Sequence, residues 1–238
     1  IDMSDSVENE LFCMRLAHEV GLPVAKVQKI ALPGLVALAV ERFDRVWEGE
    51  TLRRLPQEDI CQSLGFPSAQ KYQKSGGPGI GEIMELLRES DEPIRDRETF
   101  FRAQIFYFLI GASDGHAKNF SLQLGRRGRF RLAPLYDILS VAPVVHAGRL
   151  QRKRYRLAMS IDGHYGIDEI VPRHFEAEGK ACGLPRNRAL ELLSDMADGL
   201  GPALERTKLS LGDQVPGIVS DPIITDSMQR AEQVRKVL

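Results

Sequence analysis

The chain has 238 residues, 43% hydrophobic and 27% charged, with a formal net charge of −1. That composition belongs to an ordinary globular protein, long enough for one large domain or two small ones, and its charge balance gives no sign of a polyanionic partner. There is no apolar run of about 18 residues to cross a membrane and no secretory signal. Three isolated cysteines, Cys13, Cys61 and Cys182, suit a reducing cytoplasm better than a disulfide framework.

Residues 6–20 predict a helix, with Ser6 as N-cap, acidic residues in the first turn and a stop at Gly21 and Pro23. Val7, Leu11, Phe12, Met14, Leu16 and Val20 recur at helical spacing. The runs 24–32 and 35–43, split by Pro33 and Gly34, predict a β-hairpin whose continuously apolar second strand is buried on both faces. After Arg45 the sequence predicts mostly helices and loops. These are a short helix at 55–65, a Gly/Pro-rich loop at 73–81, an amphipathic helix at 81–90 and a central buried helix at 98–113. A hairpin across "GRRG" (120–134) follows, and the last third is amphipathic and helical. The expected class is α+β, with a small β-containing piece at 1–45 and a larger helical domain at 46–238.

The central helix ends in an unusual density of polar groups, "DGHAKN". Four residues separate Asp114 from Asn119, the interval from Asp to Asn in the protein-kinase catalytic loop H-R-D-x-x-x-x-N. In that chemistry the Asp accepts the proton of the attacking hydroxyl, and the Asn carbonyl holds Mg²⁺ on the nucleotide phosphates. A second carboxylate must hold the metal from the other side. Asp137 in "LAPLYDILS" follows a hairpin and supplies one, with Tyr136 packing beside it. Alone, "DGH" is also a plain turn whose backbone Asn119 satisfies; Asp137 is what makes a three-part phosphotransfer constellation.

"ASDGHAKNFSL" followed by "LAPLYDILS" strongly resembles the HipA family of bacterial toxin serine/threonine kinases. So do "ALAVERFDR", "LPQEDICQSLG", "QKYQKSGGPGI" and "VPRHF", and the likeness covers essentially the whole chain. The D-x-H-x-x-N form is also similar to the phosphoinositide-kinase loop. The resemblance implies a two-lobed kinase-like fold, with a remnant of the β-containing lobe, helix, hairpin and hinge, in 1–45 and the helical lobe in 46–238. It implies Asp114 as catalytic base and His116, Ala117, Lys118 and Asn119 along the phosphates. Asn119 and Asp137 become Mg²⁺ ligands, with Tyr136 beside them. Glu41, Arg42 and Phe43 become the hinge that binds adenine through its backbone; read without the family, they are a strand-end salt bridge and a core aromatic. The implied cofactors are ATP and Mg²⁺. The implied partners are a HipB-like helix-turn-helix antitoxin, operator DNA through the antitoxin complex, and a protein substrate, typically an aminoacyl-tRNA synthetase. The implied outcome is growth arrest and persistence.

The front of the chain departs from the family. HipA kinases carry a nucleotide-anchoring Lys on a strand before this first helix, and a phosphate-binding loop with an autophosphorylated Ser. Lys26 and Lys29 fall after the helix, and "GGPGIG" follows no strand and so is no P-loop. Beginning at Ile1 without Met, the sequence reads as the C-terminal portion of a longer kinase, expected to be inactive alone. Glu8 or Glu10 is either a helix N-terminal charge or the partner of that Lys. The basic run "RLQRKRYR" (149–156) is either a solvated loop or a contact for RNA, DNA or an acidic substrate face. His146, His164 and His174 lack zinc-ligand spacing, and Trp47 with Phe43 is expected at the core or its rim. Two rival functions stand beside the kinase: a non-catalytic module that holds the antitoxin or DNA, and a small-molecule or lipid kinase.

Overall fold

The computed structural model describes residues 5–238, and among these the chain is α+β, with eight α-helices and four small antiparallel sheets. Helix α1 (Ser6–Glu19) leads into a hairpin of β1 (Val27–Leu32) and β2 (Leu35–Val40). A second hairpin, β3 (Arg45–Glu48) and β4 (Thr51–Arg54), is followed by β5 (Gln57–Asp59) and the short α2 (Ile60–Ser63) and α3 (Ile80–Leu86). Then come α4 (Pro93–Ile110), the hairpin β6 (Ser121–Leu124) and β7 (Phe130–Leu132), and α5 (Ala142–His146). A last hairpin, β8 (Arg156–Ile161) and β9 (His164–Gly166), precedes α6 (Pro172–Ala181), α7 (Arg188–Leu211) and α8 (Gly217–Val237).

Helix α4 is the centre of the core. Pro93 sits in its first turn, where a missing N–H costs nothing. Phe100, Phe101, Ile105, Phe106, Leu109 and Ile110 are all buried, so the helix is apolar nearly all round and must be covered on every side. The long helix α7 packs on α1, α4, α6 and α8, and α8 also packs on α4.

A helix that ends inside the core must place its last carbonyls. Gly111 stops α4 in the left-handed conformation at φ 69°, and a Cβ there would lie 1.4 Å from the Tyr155 hydroxyl, so only glycine fits. The carbonyls are then taken in turn. Arg230 Nε donates to Leu109 (2.8 Å), Ser140 Oγ to Ile110 (2.6 Å), and Tyr155 Oη (3.0 Å) and the Val141 amide (3.1 Å) to Gly111. Arg230 is itself buried, held by Asp226, and adds a cation at the negative end of the helix. Asn9 on α1 grips Ser140 through both backbone groups, Nδ2 to the carbonyl at 2.7 Å and Oδ1 from the amide at 2.9 Å.

Several elements differ from the sequence reading. Strand β2 is not buried on both faces: Leu35 is 58% exposed and Val36 46%. Among the described residues the β1–β2 sheet has only two strands, and α1 is the helix packed against it, so no third strand covers its edges. The region after Arg45 holds strands as well as helices. The β3–β4 hairpin carries charge on both faces and exposes Trp47 (68%), so it lacks the alternation that marks a half-buried strand and Trp47 is not core. The β8–β9 hairpin turns on Asp162-Gly163, both at positive φ. The expected helix at 55–65 is shorter, beginning only after β5, where Asp59 and Gln62 form a reciprocal capping box. The first helix, the β1–β2 hairpin, the central helix, the "GRRG" hairpin and the helical tail stand within a few residues of where the sequence predicts them.

Replacing Asn9 by Ala leaves the Ser140 amide and carbonyl buried and unpaired. The expected loss of stability is about 2–4 kcal/mol, read from the urea midpoint by far-UV circular dichroism; a loss under about 1 kcal/mol would mean that water takes over both bonds.

Candidate functional site

The loop that leaves Gly111 returns on itself at once. The His116 amide donates to the Asp114 carbonyl (2.7 Å), and the Asn119 amide to the His116 carbonyl (2.9 Å). Asn119 is buried, and its Nδ2 donates to the Asp114 carbonyl at 3.0 Å, which leaves Oδ1 unspent as an oxygen donor. The loop then enters β6, which pairs with β5 on one side and β7 on the other. Beyond β7 the chain is clamped to the segment after α1. The Leu135 amide donates to the Pro23 carbonyl and the Ala25 amide to the Leu135 carbonyl, both at 2.8 Å. That clamp delivers Asp137, which sits at φ 58°, a left-handed conformation that only a few non-glycine residues tolerate.

Asp114, Asn119 and Asp137 therefore come together from two segments, each fixed at both ends. Asp137 is open to solvent on one side and crowded on the others. That crowding, and then the charge of Asp114, push its carboxyl above the usual range, while His116, Lys71 and a hydrogen bond from Asn119 draw it down. Glu10 on α1 joins the group: burial first, and Asp137 second, push it up to about 7. Glu8, the other acidic candidate, is spent on Lys29 at 2.6 Å. So the sequence alternative between Glu8 and Glu10 has a spatial answer, and Glu10 is the one facing the site.

The remaining predicted residues fall unevenly. His116 is buried and held neutral by desolvation, and its Nδ1 has no partner. Ala117 is fully buried, so its side chain cannot meet a ligand. Lys118 turns away to Asp59 at 2.6 Å. Tyr136 donates to the Lys118 carbonyl (3.1 Å), shares a hydrogen bond with Ser121 Oγ (2.6 Å) and stacks on Phe43 at 5.9 Å. Glu41 pairs with Lys26 (3.4 Å), and Arg42 forms a two-bond fork on the buried Asp44 (2.8 Å each). These are the strand-end ion pairs of the plain reading, and Phe43 is half-buried rather than core. The Glu41 amide is spent on the Lys26 carbonyl and the Phe43 carbonyl on Gln123. The Arg42 and Phe43 amides and the Glu41 carbonyl keep no intramolecular partner among the described residues.

Three further groups were not legible in the sequence. Tyr72 Oη donates to Asp114 Oδ1 at 2.5 Å. Tyr107 lies buried with its hydroxyl unpartnered, its ionisation opposed first by burial and then by Asp137. The charge of Lys71 is felt at both His116 and Asp137. Away from this site, Asp162, His164 and His174 bring potential metal-ligand atoms within 4.8 Å of one another, a proximity the chain spacing did not foresee. The two imidazoles are stacked face to face at 3.9 Å and 8°, so their in-plane lone pairs run parallel and do not meet at one ion.

The family described as the HipA-like C-terminal domain matches residues 1–203. The chain is 35% identical over 208 residues to a protein of Sinorhizobium fredii named as a kinase, Y4mE, covering 85% of this chain and 48% of that protein. It is 30% identical over 219 residues to the serine/threonine-protein kinase toxin HipA of Shewanella oneidensis, covering 86% and 49%. The chain thus spans about half the length of these curated relatives. Among solved structures, the Shewanella oneidensis HipA, HipB and operator DNA complex matches at TM-score 0.85 and 27% identity, over 97% of this chain and 56% of that one. The Helicobacter pylori proinflammatory kinase CtkA matches at TM-score 0.64 and 13% identity, over 98% and 85%, a likeness of fold alone. Among the described residues no helix is long and apolar enough to cross a membrane.

The raised Glu10 carboxyl makes stability depend on pH. The folded state binds this proton more tightly than the unfolded chain, so the contribution is greatest below the unfolded value of 4.5 and is lost as pH rises through about 7. With chelator present, Glu10→Gln is expected to flatten the decline in melting temperature between those values and to exceed wild type at pH 8. Parallel pH profiles for the two proteins would mean that Glu10 is ionised in the fold at all these pH values.

Proposed function

The chain belongs to the HipA-like C-terminal domain family, and from that premise we propose that it carries the catalytic centre of a serine/threonine protein kinase. The whole protein transfers the γ-phosphoryl of Mg-ATP to a protein hydroxyl. The observation that carries this reading is the convergence of Asp114, Asn119 and Asp137 on fixed backbone, with one carboxylate raised by the next.

The donor set fits a hard divalent cation. Asp137 offers carboxylate oxygens and Asn119 a free amide oxygen, the ligand chemistry that Mg²⁺ takes alongside phosphate oxygens. The unpartnered His116 Nδ1 and Tyr107 hydroxyl beside these carboxylates are further polar groups for a ligand to satisfy. When bound, Mg²⁺ would neutralise phosphate charge and relieve the crowding of Asp137 and Glu10. Asp114, with 57% of its side chain exposed, is the group open to an arriving hydroxyl and takes its proton as general base. Its neighbour Asn119 fixes the loop and would hold the cation through Oδ1. Arg42 and Phe43 supply free amides, and Glu41 a free carbonyl, for the adenine edge, and Tyr136 sets the Phe43 ring beside them. Lys71 adds positive charge where phosphates would lie. Lys118 shapes the loop more than it touches the nucleotide, given its pairing with Asp59.

By the likeness to the Shewanella complex, the partners of the whole protein are a HipB-like antitoxin and, through it, operator DNA. The acceptor is a protein Ser or Thr, in this family typically on an aminoacyl-tRNA synthetase, with growth arrest as the outcome. In this reading residues 1–45 belong to the β-containing lobe and 46–238 to the helical lobe.

In the full-length protein Asp114→Asn is expected to lower phosphotransfer at least about a hundredfold while ATP affinity changes less than about threefold, because a base acts in the transition state. Activity within about tenfold of wild type would remove Asp114 from the base role. Asp137→Ala is expected to abolish the Mg²⁺ dependence of ATP binding in calorimetry. Undiminished Mg²⁺ dependence would give Asp137 a structural role only.

A further inference from the structure

The segment before α3 reaches across the catalytic loop. Tyr72 lies edge-on to His116 with ring centroids 4.9 Å apart at 82°, and its hydroxyl is the one hydrogen-bond donor on the Asp114 carboxylate among the described residues, at 2.5 Å on Oδ1. Asp114 Oδ2 carries only the longer contact to His116 Nε2, at 3.9 Å. We propose that Tyr72 is the positioning residue for Asp114, holding Oδ1 so that Oδ2 alone meets the hydroxyl of the acceptor. The inference rests on the reading of Asp114 as general base. As the acceptor oxygen bonds to the γ-phosphorus and the bond to the ADP oxygen breaks, the hydroxyl proton goes to Oδ2. A carboxylate free to rotate would spend most of its time with neither oxygen so placed.

A phenol beside the base has a second reading: it could occupy the acceptor's place and block the site until it swings out. The surroundings of Tyr72 favour a fixed post. Its carbonyl accepts from the Ser75 (2.9 Å) and Gly77 (3.1 Å) amides, and the Lys71 carbonyl accepts from the Ala117 amide at 3.2 Å. A Cβ on Gly77 would stand 1.9 Å from the Gln70 carbonyl oxygen, so the turn closes only with glycine. On the other side Gln73 Oε1 accepts from both the amide (2.7 Å) and the hydroxyl (3.1 Å) of Ser160 on β8. The segment is thus tied to the catalytic loop on one side and to a strand on the other, which fixes the backbone that carries the ring, and the ring itself is set edge-on against the buried His116. Burial, and then the bond to Asp114, push the Tyr72 hydroxyl up to about 12, so it stays a donor at any working pH.

The test is Tyr72→Phe in the full-length protein, which keeps the ring against His116 and removes only the hydroxyl. Transfer from γ-labelled Mg-ATP to dephosphorylated casein gives kcat and both KM values, with Asp114→Asn as control. We expect kcat to fall about ten- to a hundredfold, the range for losing an orienting hydrogen bond, with KM for ATP and casein within about threefold and the melting temperature unchanged. An unchanged kcat overturns the proposal, a raised kcat replaces it with the blocking reading, and a raised KM for casein alone makes Tyr72 an acceptor contact. If Asp114→Asn stays active, it is the base assignment that fails. A crystal structure of Tyr72→Phe decides independently of turnover, including for an acceptor the enzyme ignores: a reoriented Asp114 carboxylate supports the proposal, and a carboxylate superimposed on wild type overturns it.

Discussion

The structure depends on how one helix ends inside a dry core. An α-helix leaves its last carbonyls without intrahelical partners, and burying them unpaired costs about 1–3 kcal/mol each. At the end of α4 the Tyr107 and Phe108 carbonyls are met by the amides just past the helix, and those of Leu109, Ile110 and Gly111 by donors from remote parts of the chain: Arg230 from α8, Ser140 from the stretch after Asp137, Tyr155 just before β8. Satisfying the helix therefore pins three remote segments around one point. Asn9 then ties α1 to the same point through Ser140. The polar loop from Asp114 to Asn119 starts from this fixture, and Asp137 lies three residues before one of its donors. Site geometry and core stability are in this sense one network, and a fault in either reaches the other.

The site that results is electrostatically unfinished. Asp114, Asp137 and Glu10 act on one another in turn, and the two that are crowded by protein hold their protons above the usual carboxylate range. Nearby cationic groups only partly offset this: Lys71 acts on Asp137, while Lys118 and Lys29 are paired elsewhere. A bare protein can meet such crowding by protonation; a divalent cation meets it without giving up the negative charge. The orphaned His116 Nδ1 and Tyr107 hydroxyl lie in the same place. Strain at Asp137 fits this picture, since backbone held at φ 58° persists only where the surroundings fix it.

How much of this the sequence discloses follows from which interactions are local. Helices α1 and α7 are legible because a packed helix repeats its apolar residues at a fixed period, and α4 because its apolar run is too long for a strand. The Asp114–Asn119 interval is legible because the loop closes on itself within six residues. The exposure of β2 is not legible, because a continuous apolar run marks burial only where neighbours exist, and its sheet has a single partner strand. The β3–β4 hairpin carries no strand signal because both its faces are charged, and the β8–β9 hairpin has only its Asp162-Gly163 turn to mark it, next to a basic run. Tyr72, Tyr107 and Glu10 carry no local mark at all: their relation to Asp114 and Asp137 exists only after the chain has folded. The choice between Glu8 and Glu10 is of the same kind, since both lie on one helix and only the position of Lys29 separates them.

The central claim is that Asp114, Asn119 and Asp137 form one Mg-ATP site. The most direct measurement is a crystal structure of the full-length protein with Mg²⁺ and a non-hydrolysable ATP analogue. The account predicts a cation bonded to an Asp137 carboxylate oxygen and to Asn119 Oδ1, with the terminal phosphate between it and Asp114. A nucleotide bound elsewhere, or one whose cation touches neither Asn119 nor Asp137, would contradict it.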